Sequence, residues 1–224
     1  MADHRIRFSK FGKASFISHL DLMRTMQRAF LRAGISMKHT EGFNPHPYIA
    51  IPLPLPLGFS SRCEVLEFGL LGGAAIDEVP QLLTNALPDG ITVESCYENG
   101  LPFRKLSFVR YEIDLSFAES ALATDAAAAL KGITERESHI IQKRSKKAKT
   151  GFTELDIIPL IEQVETLAAD KDTLRLEVLL HAQNPGLNPD LIIGALRTEF
   201  PELTPNTSHF FRQEIFDDRK KSYR

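Results

Sequence analysis

The sequence has no tryptophan and only two cysteines among its 224 residues. Cys63 and Cys96 stand far apart, which is typical of a protein from a reducing compartment rather than of a disulfide-stapled one. No apolar run reaches the ~18–20 residues that span a membrane. The amino terminus also lacks the apolar segment of a signal peptide. We therefore expect a cytoplasmic protein with no membrane segment.

The motifs of the common cofactor-dependent and nucleophilic enzymes are missing as well. The sequence has no C-x-x-C, no H-E-x-x-H and no cysteine spacing for an iron–sulfur cluster, so we expect no metal site. It also has no G-x-G-x-x-G, no Walker loop and no G-x-S-x-G turn. These absences exclude most common enzyme classes, and we expect no cofactor.

The chain has few negative charges in some segments and few positive charges in others, although its net charge is only −2. Residues 1–50 carry 8 Lys and Arg against 3 Asp and Glu, and residues 101–150 carry 10 against 6. Residues 51–100 carry 1 against 7, and residues 151–224 carry 8 against 13. Nucleic-acid binders need a basic surface more than a basic total. The composition therefore allows a local anion site, although charges segregated in sequence can also mix in space.

The apolar periodicity predicts a similar order of elements in both halves of the chain. Each half reads as strand, helix and strand, then one or two strands, then helix and strand. This is the split βαβ order, so the predicted fold class is α+β, with two ferredoxin-like halves in tandem, antiparallel sheets and helices packed on one face. Residues 99–102 are the best candidate linker, which predicts domains at 1–102 and 103–224. The alternative is a single α+β domain with one continuous sheet.

Local signals define the first helix most clearly. Ser18 and Asp21 have the spacing of a capping box, with Asp in place of Glu, at the start of the helix. The helix is predicted to run to about Ala33 and to stop at Gly34. The prolines at positions 52, 54 and 56 exclude a central strand and leave either a one-sided edge strand or polyproline II. Towards the carboxyl terminus, Pro159 predicts a short helix over residues 159–168, and residues 217–224 are expected to fray.

Polar residues cluster at the start of the first helix and in a proline-rich loop that follows it. The free N–H groups of a helix start suit an anion near Ser18 and His19. The loop carries Gly42, Asn44 and His46, and its prolines hold these polar groups in place. We expect the helix start and the loop to form one RNA- or partner-binding site. The plainer alternatives are that the loop only reverses the chain and that His19 only caps or packs.

Two basic segments extend this candidate site. Arg24, Arg28 and Arg32 recur every four residues opposite the apolar stripe of the first helix. The second half contains five cations within seven residues: Lys143, Arg144, Lys146, Lys147 and Lys149. Both segments are candidates for contacts with RNA phosphates. Both patterns are also common on solvated surfaces that bind nothing.

Several stretches of the first 70 residues are similar to a bacterial family of unknown function whose members are called radical-SAM-associated proteins. The resemblance is strong over residues 5–70 and rests on FISHLDLM at 16–23, RAFLRAG at 28–34, EGFNPHP at 41–47, PLPLG at 54–58, and Glu64. In that family the domain is encoded beside a radical SAM protein or fused to one, often near a ribonuclease of the E/G type. The resemblance implies a radical SAM partner and a role in RNA metabolism, and it supplies no catalytic residue.

The tandem ferredoxin-like order is also similar to the Cas6 type of RNA-processing endonuclease, a likeness of fold that carries little functional weight. In metal-free RNA cleavage a histidine can act as general acid or base, and His19 and His46 are then the candidate catalytic residues. The glycine-rich carboxyl-terminal loop of those nucleases is absent.

We therefore expect an accessory or RNA-binding adaptor module that works with a radical SAM protein in RNA modification or processing, and we do not expect an enzyme. A metal-independent endoribonuclease and a scaffold that contacts only protein are the alternatives.

Overall fold

The computed structural model describes residues 4–72, 74–98, 100–118, 122–144 and 151–224. The chain divides into two compact units, of which the first comprises Met1–Leu106, Phe211–Glu214 and Ser222–Arg224 and the second comprises Ser107–Phe210 and Ile215–Lys221. The first part of the chain forms β1 (His4–Lys10), α1 (His19–Arg32), β2 (Ser36–Met37), β3 (Ile49–Ala50), β4 (Ser60–Phe68), β5 (Leu70–Gly72), α2 (Val79–Ala86) and β6 (Ile91–Glu98). The remainder forms β7 (Leu106–Ser116), α3 (Leu122–Thr134), β8 (Ile140–Arg144), β9 (Phe152–Asp156), β10 (Ile161–Asp170), β11 (Thr173–His181), α4 (Asp190–Glu199) and β12 (Thr207–Asp217).

In the first unit, β1 lies between β4 and β6 and pairs antiparallel with both strands. The other edge of β4 pairs antiparallel with β3 and, at Phe211 and Arg212, parallel with β12. Alternate residues of β1 share a face because strand side chains have a period of two. That face packs against α1 and α2 in one apolar core, whose members include Ile6, Phe8, Leu22, Met26, Phe30, Leu66, Phe68, Val79 and Leu83.

In the second unit, the strand order is β10–β11–β7–β12. With α3 after β7 and α4 after β11, this is the ferredoxin-like arrangement of two split βαβ motifs. The strands β8 and β9 form a separate two-stranded ribbon between α3 and β10. The predicted α+β class, with ferredoxin-like halves and mostly antiparallel sheets, is confirmed.

The segment after Pro159 is a strand, so the predicted helix over residues 159–168 is wrong. Pro159 lies in a short 3-10 turn at Ile158–Leu160, after which β10 pairs antiparallel with β11. The register of β10 shifts at two places along this pair, and its partly buried residues Ile161, Val164 and Ala168 are three and four positions apart. Because β-bulges interrupt strict alternation, the apolar spacing of this strand imitates that of a helix.

The carboxyl-terminal tail is docked in the first unit, so the expectation of fraying is also wrong. Tyr223 is fully buried, and its hydroxyl donates a hydrogen bond to the Leu101 carbonyl at 2.7 Å. The Leu101 N–H in turn donates to the carbonyl of Arg224. A single large aromatic residue therefore holds an otherwise polar tail in place.

Residues 51–59, which contain the three alternating prolines, lie outside the strands. This confirms that no central strand forms here, and no edge strand forms either. Their carbonyls instead accept side-chain hydrogen bonds, since Arg212 donates to Leu53 at 2.7 Å and to Pro54 at 3.5 Å. Within the described part of the chain, no helix is both long enough and apolar enough to cross a membrane.

Candidate functional site

The start of α1 is capped as its sequence predicts. The Ser18 hydroxyl accepts a hydrogen bond from the Asp21 N–H at 3.2 Å and donates one to the Asp21 carboxylate at 2.7 Å. The hydrogen bond from Ser18, and then the hydrogen bond and charge of Arg24, lower the pKa of Asp21. His19 is exposed and makes no hydrogen bond or ion pair with the described residues. The cap therefore occupies Ser18 and leaves the His19 imidazole free.

The proline-rich loop closes on itself through Thr40 and His46. The Thr40 N–H donates to the His46 carbonyl at 2.8 Å, and the His46 N–H donates to the Thr40 hydroxyl at 3.2 Å. The His46 Nδ1 lies 3.1 Å from the Asn44 carbonyl and 3.1 Å from the Thr40 hydroxyl. A carbonyl can only accept, so Nδ1 carries a proton when it bonds to Asn44. Gly42 lies between these residues at φ +123°, a conformation that L side chains rarely adopt.

The loop contacts α1, but not at His19. The Gln27 side chain donates to the Pro47 carbonyl at 3.4 Å. Gln27 follows His19 by eight residues, which is about 12 Å along a helix axis. Among the described residues, no hydrogen bond or ring contact joins His19 to His46.

The three arginines of α1 differ in their surroundings. Arg24 pairs with Asp21 at 3.2 Å on the exposed surface, and Arg32 donates to the carbonyl of Ala86. Arg28 is exposed and makes no ion pair or hydrogen bond with the described residues. Within the described part of the chain, a carboxylate therefore neutralises one of the three charges, that of Arg24.

Large apolar side chains of α1 and of the segment before it are exposed to solvent. Phe16 is 72% exposed, Leu20 68% and Leu31 79%. Leu57 is also exposed, and the adjacent Gly58 lies against the Phe16 ring. At 100° per residue, Leu20, Arg24 and Leu31 fall on the side of α1 opposite its buried stripe. We call the surface formed by Leu20, Arg24, Arg28 and Leu31 the α1 outer face.

A buried charge cluster in the first unit was not predicted. Arg212 donates to the Glu64 carboxylate at 2.8 Å, and their side chains are 2% and 1% exposed. Lys10 is equally buried and donates to the carbonyls of Ser15 at 3.3 Å and Ile17 at 3.0 Å. Desolvation lowers the pKa of Lys10, while the Glu64 charge opposes this shift. The second carboxylate oxygen of Glu64 is buried and has no hydrogen-bond partner among the residues that the structure describes.

The sequence contains two signals of this cluster. Lys10 follows Ile6 and Phe8 in the apolar register of β1, and Glu64 lies inside the apolar run from Cys63 to Leu66. A charged residue at a core position needs a partner. The cluster connects β1, β4 and β12 to the carbonyls just before α1, so it positions the helix start.

In the second unit, Lys143 and Arg144 lie on the β8–β9 ribbon, opposite Thr153 and Phe152. Lys146, Lys147 and Lys149 lie outside the described residues. The described residues hold no group of three His, Cys, Asp or Glu side chains that could bind a metal ion.

A protein-family model matches residues 4–189, and it describes an uncharacterized protein conserved in bacteria, DUF2344. The chain belongs to the DUF2344 family. No curated protein matches it. The DUF2344 assignment thus supports the predicted membership of an uncharacterized bacterial family.

Among solved structures, the chain is similar to a chain of a Cbf5–Nop10–Gar1 complex, with a TM-score of 0.53 and 7% sequence identity. The match covers 96% of this chain and 49% of that one, so the DUF2344 chain spans about half the length of its structural relative. An unknown protein from Galdieria sulphuraria matches at 9% identity over 94% of this chain and 98% of that one, but its TM-score is 0.27 and carries no argument. The likeness to the first structure concerns the fold alone.

Proposed function

We propose that this DUF2344 protein is a non-catalytic accessory module of the bacterial cytoplasm that works with a radical SAM protein in RNA modification or processing. In this proposal the α1 outer face and the loop at residues 42–47 contact the partner protein, and the basic segment at residues 143–149 contacts RNA. The radical SAM partner follows from the sequence resemblance.

The α1 outer face is the observation that carries a binding role. Leu20 and Leu31 are each two-thirds or more exposed, and they share one side of α1 with Arg28, which has no carboxylate partner among the described residues. Single exposed leucines are ordinary, so the binding role rests on two of them sharing one helix face with Arg24 and Arg28. Aromatic residues and arginine are also enriched where proteins bind each other.

The surroundings of the two candidate histidines favour binding over catalysis. The Nδ1 of His46 is engaged by its own loop, which gives this residue a structural task. The His19 side chain makes no hydrogen bond or ion pair with the described residues that would orient its ring. General acid–base catalysis needs such a positioned group within hydrogen-bond reach of the reacting atoms.

Affinity purification from the native host tests the partnership. The tag belongs at the amino terminus, because the carboxyl-terminal residues are docked in the fold. We expect a radical SAM protein to copurify with and without nuclease treatment. Its absence from both samples would contradict the proposal, and its loss only after nuclease treatment would mean that RNA alone bridges the two proteins.

An activity assay separates the module from the ribonuclease. Purified protein with chelator present should leave RNA intact, whereas a metal-independent nuclease would produce 2′,3′-cyclic ends. His19→Ala and His46→Ala should then change nothing. Cleavage that either substitution abolishes in a folded protein would overturn the non-catalytic assignment.

Salt dependence tests the RNA contact. If about three to five cations contact phosphates, log K should fall with log salt at a slope of roughly −2 to −4 for single strands. Reversing the charges of Lys143, Arg144 and Lys146 should reduce both the affinity and this slope. No measurable RNA binding at low salt would leave the protein-only scaffold.

A further inference from the structure

We infer that the α1 outer face is a docking site for an acidic amphipathic helix of a partner protein. The inference rests on the proposed function in one respect, namely that the first unit is a binding surface. It adds the chemical class of the occupant and the side of the molecule that receives it.

The spacing along α1 suits a helix as the occupant. Leu20, Arg24, Gln27 and Leu31 are separated by four, three and four residues, which is the alternation of a coiled-coil seam. The seam spans about 16 Å, or three helical turns. Gln27 borders it on the side of the loop, through its hydrogen bond to Pro47. A partner helix laid along this seam would cover an apolar residue at each end.

An exposed phenylalanine precedes the seam in the sequence. Phe16 ends the short 3-10 helix before α1, and its ring lies close to Gly58. The neighbouring Leu57 is exposed as well. The seam itself therefore offers one exposed leucine at each end, Leu20 and Leu31.

The positive charges in the middle of the face determine the sign of the charge that the partner must carry. Arg24 has only an exposed pair with Asp21, and Arg28 has no carboxylate among the described residues. An occupant that covers the two leucines must place carboxylates opposite these guanidinium groups, because guanidinium and carboxylate form charge-assisted hydrogen bonds. The partner helix therefore carries Glu or Asp at its centre and apolar residues at both ends.

A second copy of this chain does not meet that requirement. In an antiparallel pair of α1 helices, Leu20 would face Leu31, but Arg24 and Arg28 of both copies would meet in the middle. Like charges across an interface are unfavourable. RNA fits less well than protein, because bases stack on aromatic rings and leave the two exposed leucines without a role.

Designed peptides test the inference directly. The probe is a labelled 21-residue amphipathic helix with Leu at both ends of its seam and Glu at the centre. One control peptide replaces each central Glu with Lys, and the other replaces each seam Leu with Ser. Fluorescence anisotropy at low salt measures binding of all three to the purified full-length protein. We expect the acidic peptide to bind at least tenfold more tightly than either control.

Matched protein variants locate the site. Leu20→Ser/Leu31→Ser and Arg24→Glu/Arg28→Glu should each weaken acidic-peptide binding at least tenfold, and the charge-reversed protein should now prefer the lysine peptide. The control pairs Leu71→Ser/Leu167→Ser and Arg104→Glu/Arg219→Glu remove exposed residues of the same kinds elsewhere and should bind like the wild type. Circular dichroism confirms that each variant is folded.

Three outcomes would overturn the inference. The first is no binding of the acidic peptide up to about 1 mM, and the second is binding that the α1 variants leave unchanged. The third is that a 12-nucleotide single-stranded RNA binds the wild type and the Leu20→Ser/Leu31→Ser variant but not the Arg24→Glu/Arg28→Glu variant. If the α1 variants still copurify with the radical SAM protein as wild type does, the inference fails while the proposed function stands. If even the wild type does not copurify with it, the proposed function fails whatever the peptides do.

Discussion

Arg212 and Glu64 illustrate how much a few residues matter in the first unit. Both side chains are excluded from solvent, and Arg212 also donates to two carbonyls of the proline-containing segment. A buried ion pair adds little net stability compared with apolar residues, but removing one member leaves an uncompensated charge. Because Glu64 needs the Arg212 charge, the first unit requires β12 to pair with β4.

Replacing Arg212 tests this directly. Arg212→Met should lower the free energy of unfolding by about 3–5 kcal/mol, because Glu64 then remains buried without its cation. Arg62→Met is the matched control, since Arg62 is exposed and should change stability by less than about 1 kcal/mol. Urea unfolding measures both values. Equal effects of the two substitutions would show that the buried pair has no special role.

Lys10 should give the protein a distinctive alkaline pH dependence. Burial lowers its pKa below the ordinary 10.5. Between the folded and unfolded pKa values the unfolded chain binds more protons, so the free energy of unfolding rises with pH through that window. Below the folded pKa, the penalty for burying the charge is present in full.

We therefore expect the stability of the wild type relative to Lys10→Met to increase as the pH rises towards 10.5. Urea unfolding of both proteins at about pH 7, 9 and 10 measures the difference. Cys63, whose thiol pKa burial raises to about 12, is present in both proteins, so its contribution cancels. A difference that is constant over this range would contradict the assignment.

Among the secondary-structure elements, α1 connects the core with the proposed binding surface. Its buried residues Leu22, Met26 and Phe30 pack in the core, and its opposite side forms the α1 outer face. The position of the helix start then depends on two devices: the Ser18 cap and the Lys10 bonds to the carbonyls before it. Movement of this start would displace Leu20 and Arg24 together.

Removing the cap should weaken the element by a predictable amount. Ser18→Ala should lower the free energy of unfolding by about 1 kcal/mol, and Ser18→Gly by only a few tenths. Ser36→Ala, at an exposed position of β2, is the control and should have little effect. Thermal or urea unfolding measures all three, and an Ala variant as stable as the wild type would mean that the Ser18 hydroxyl does not support the helix.

At the scale of the whole molecule, the last residues of the chain belong to its first compact unit. Tyr223 is held by its hydrogen bond to Leu101, and the Arg5 guanidinium lies 5.3 Å from the centre of its ring. Burial raises the pKa of the Tyr223 hydroxyl to about 12. The amino- and carboxyl-terminal parts of the sequence are therefore both needed for this unit.

Shortening this side chain should show how strongly the tail is held. Tyr223→Ala should lower the free energy of unfolding by about 3–5 kcal/mol, the range for removing a large aromatic from a core. Tyr223→Phe keeps the ring and should cost about 1 kcal/mol for the hydrogen bond. Urea unfolding measures the stability of both variants. An Ala variant as stable as the wild type would mean that the tail is frayed rather than docked.

The sequence alone was sufficient for α1 and for the fold class, because the signals for both are local. The cap at Ser18, the apolar stripe and the stop at Gly34 each act within one or two turns, and the structure confirms all three. The order of elements led to the ferredoxin-like halves in the same way. Residues 159–168 were mistaken for a helix because register shifts in β10 space its apolar residues at three and four positions.

The charge cluster and the docked tail were decided only by the tertiary structure. Glu64 and Arg212 are 148 positions apart, and Leu101 and Tyr223 are 122 apart. Local patterns marked Lys10 and Glu64 as charges at core positions, but they could not identify the residues with which these charges interact. Whether a buried charge is tolerated depends on which groups surround it, and that is determined by how distant strands pair. For the same reason, the sequence showed arginines along α1, but only the fold revealed that Arg32 donates to the distant Ala86 carbonyl.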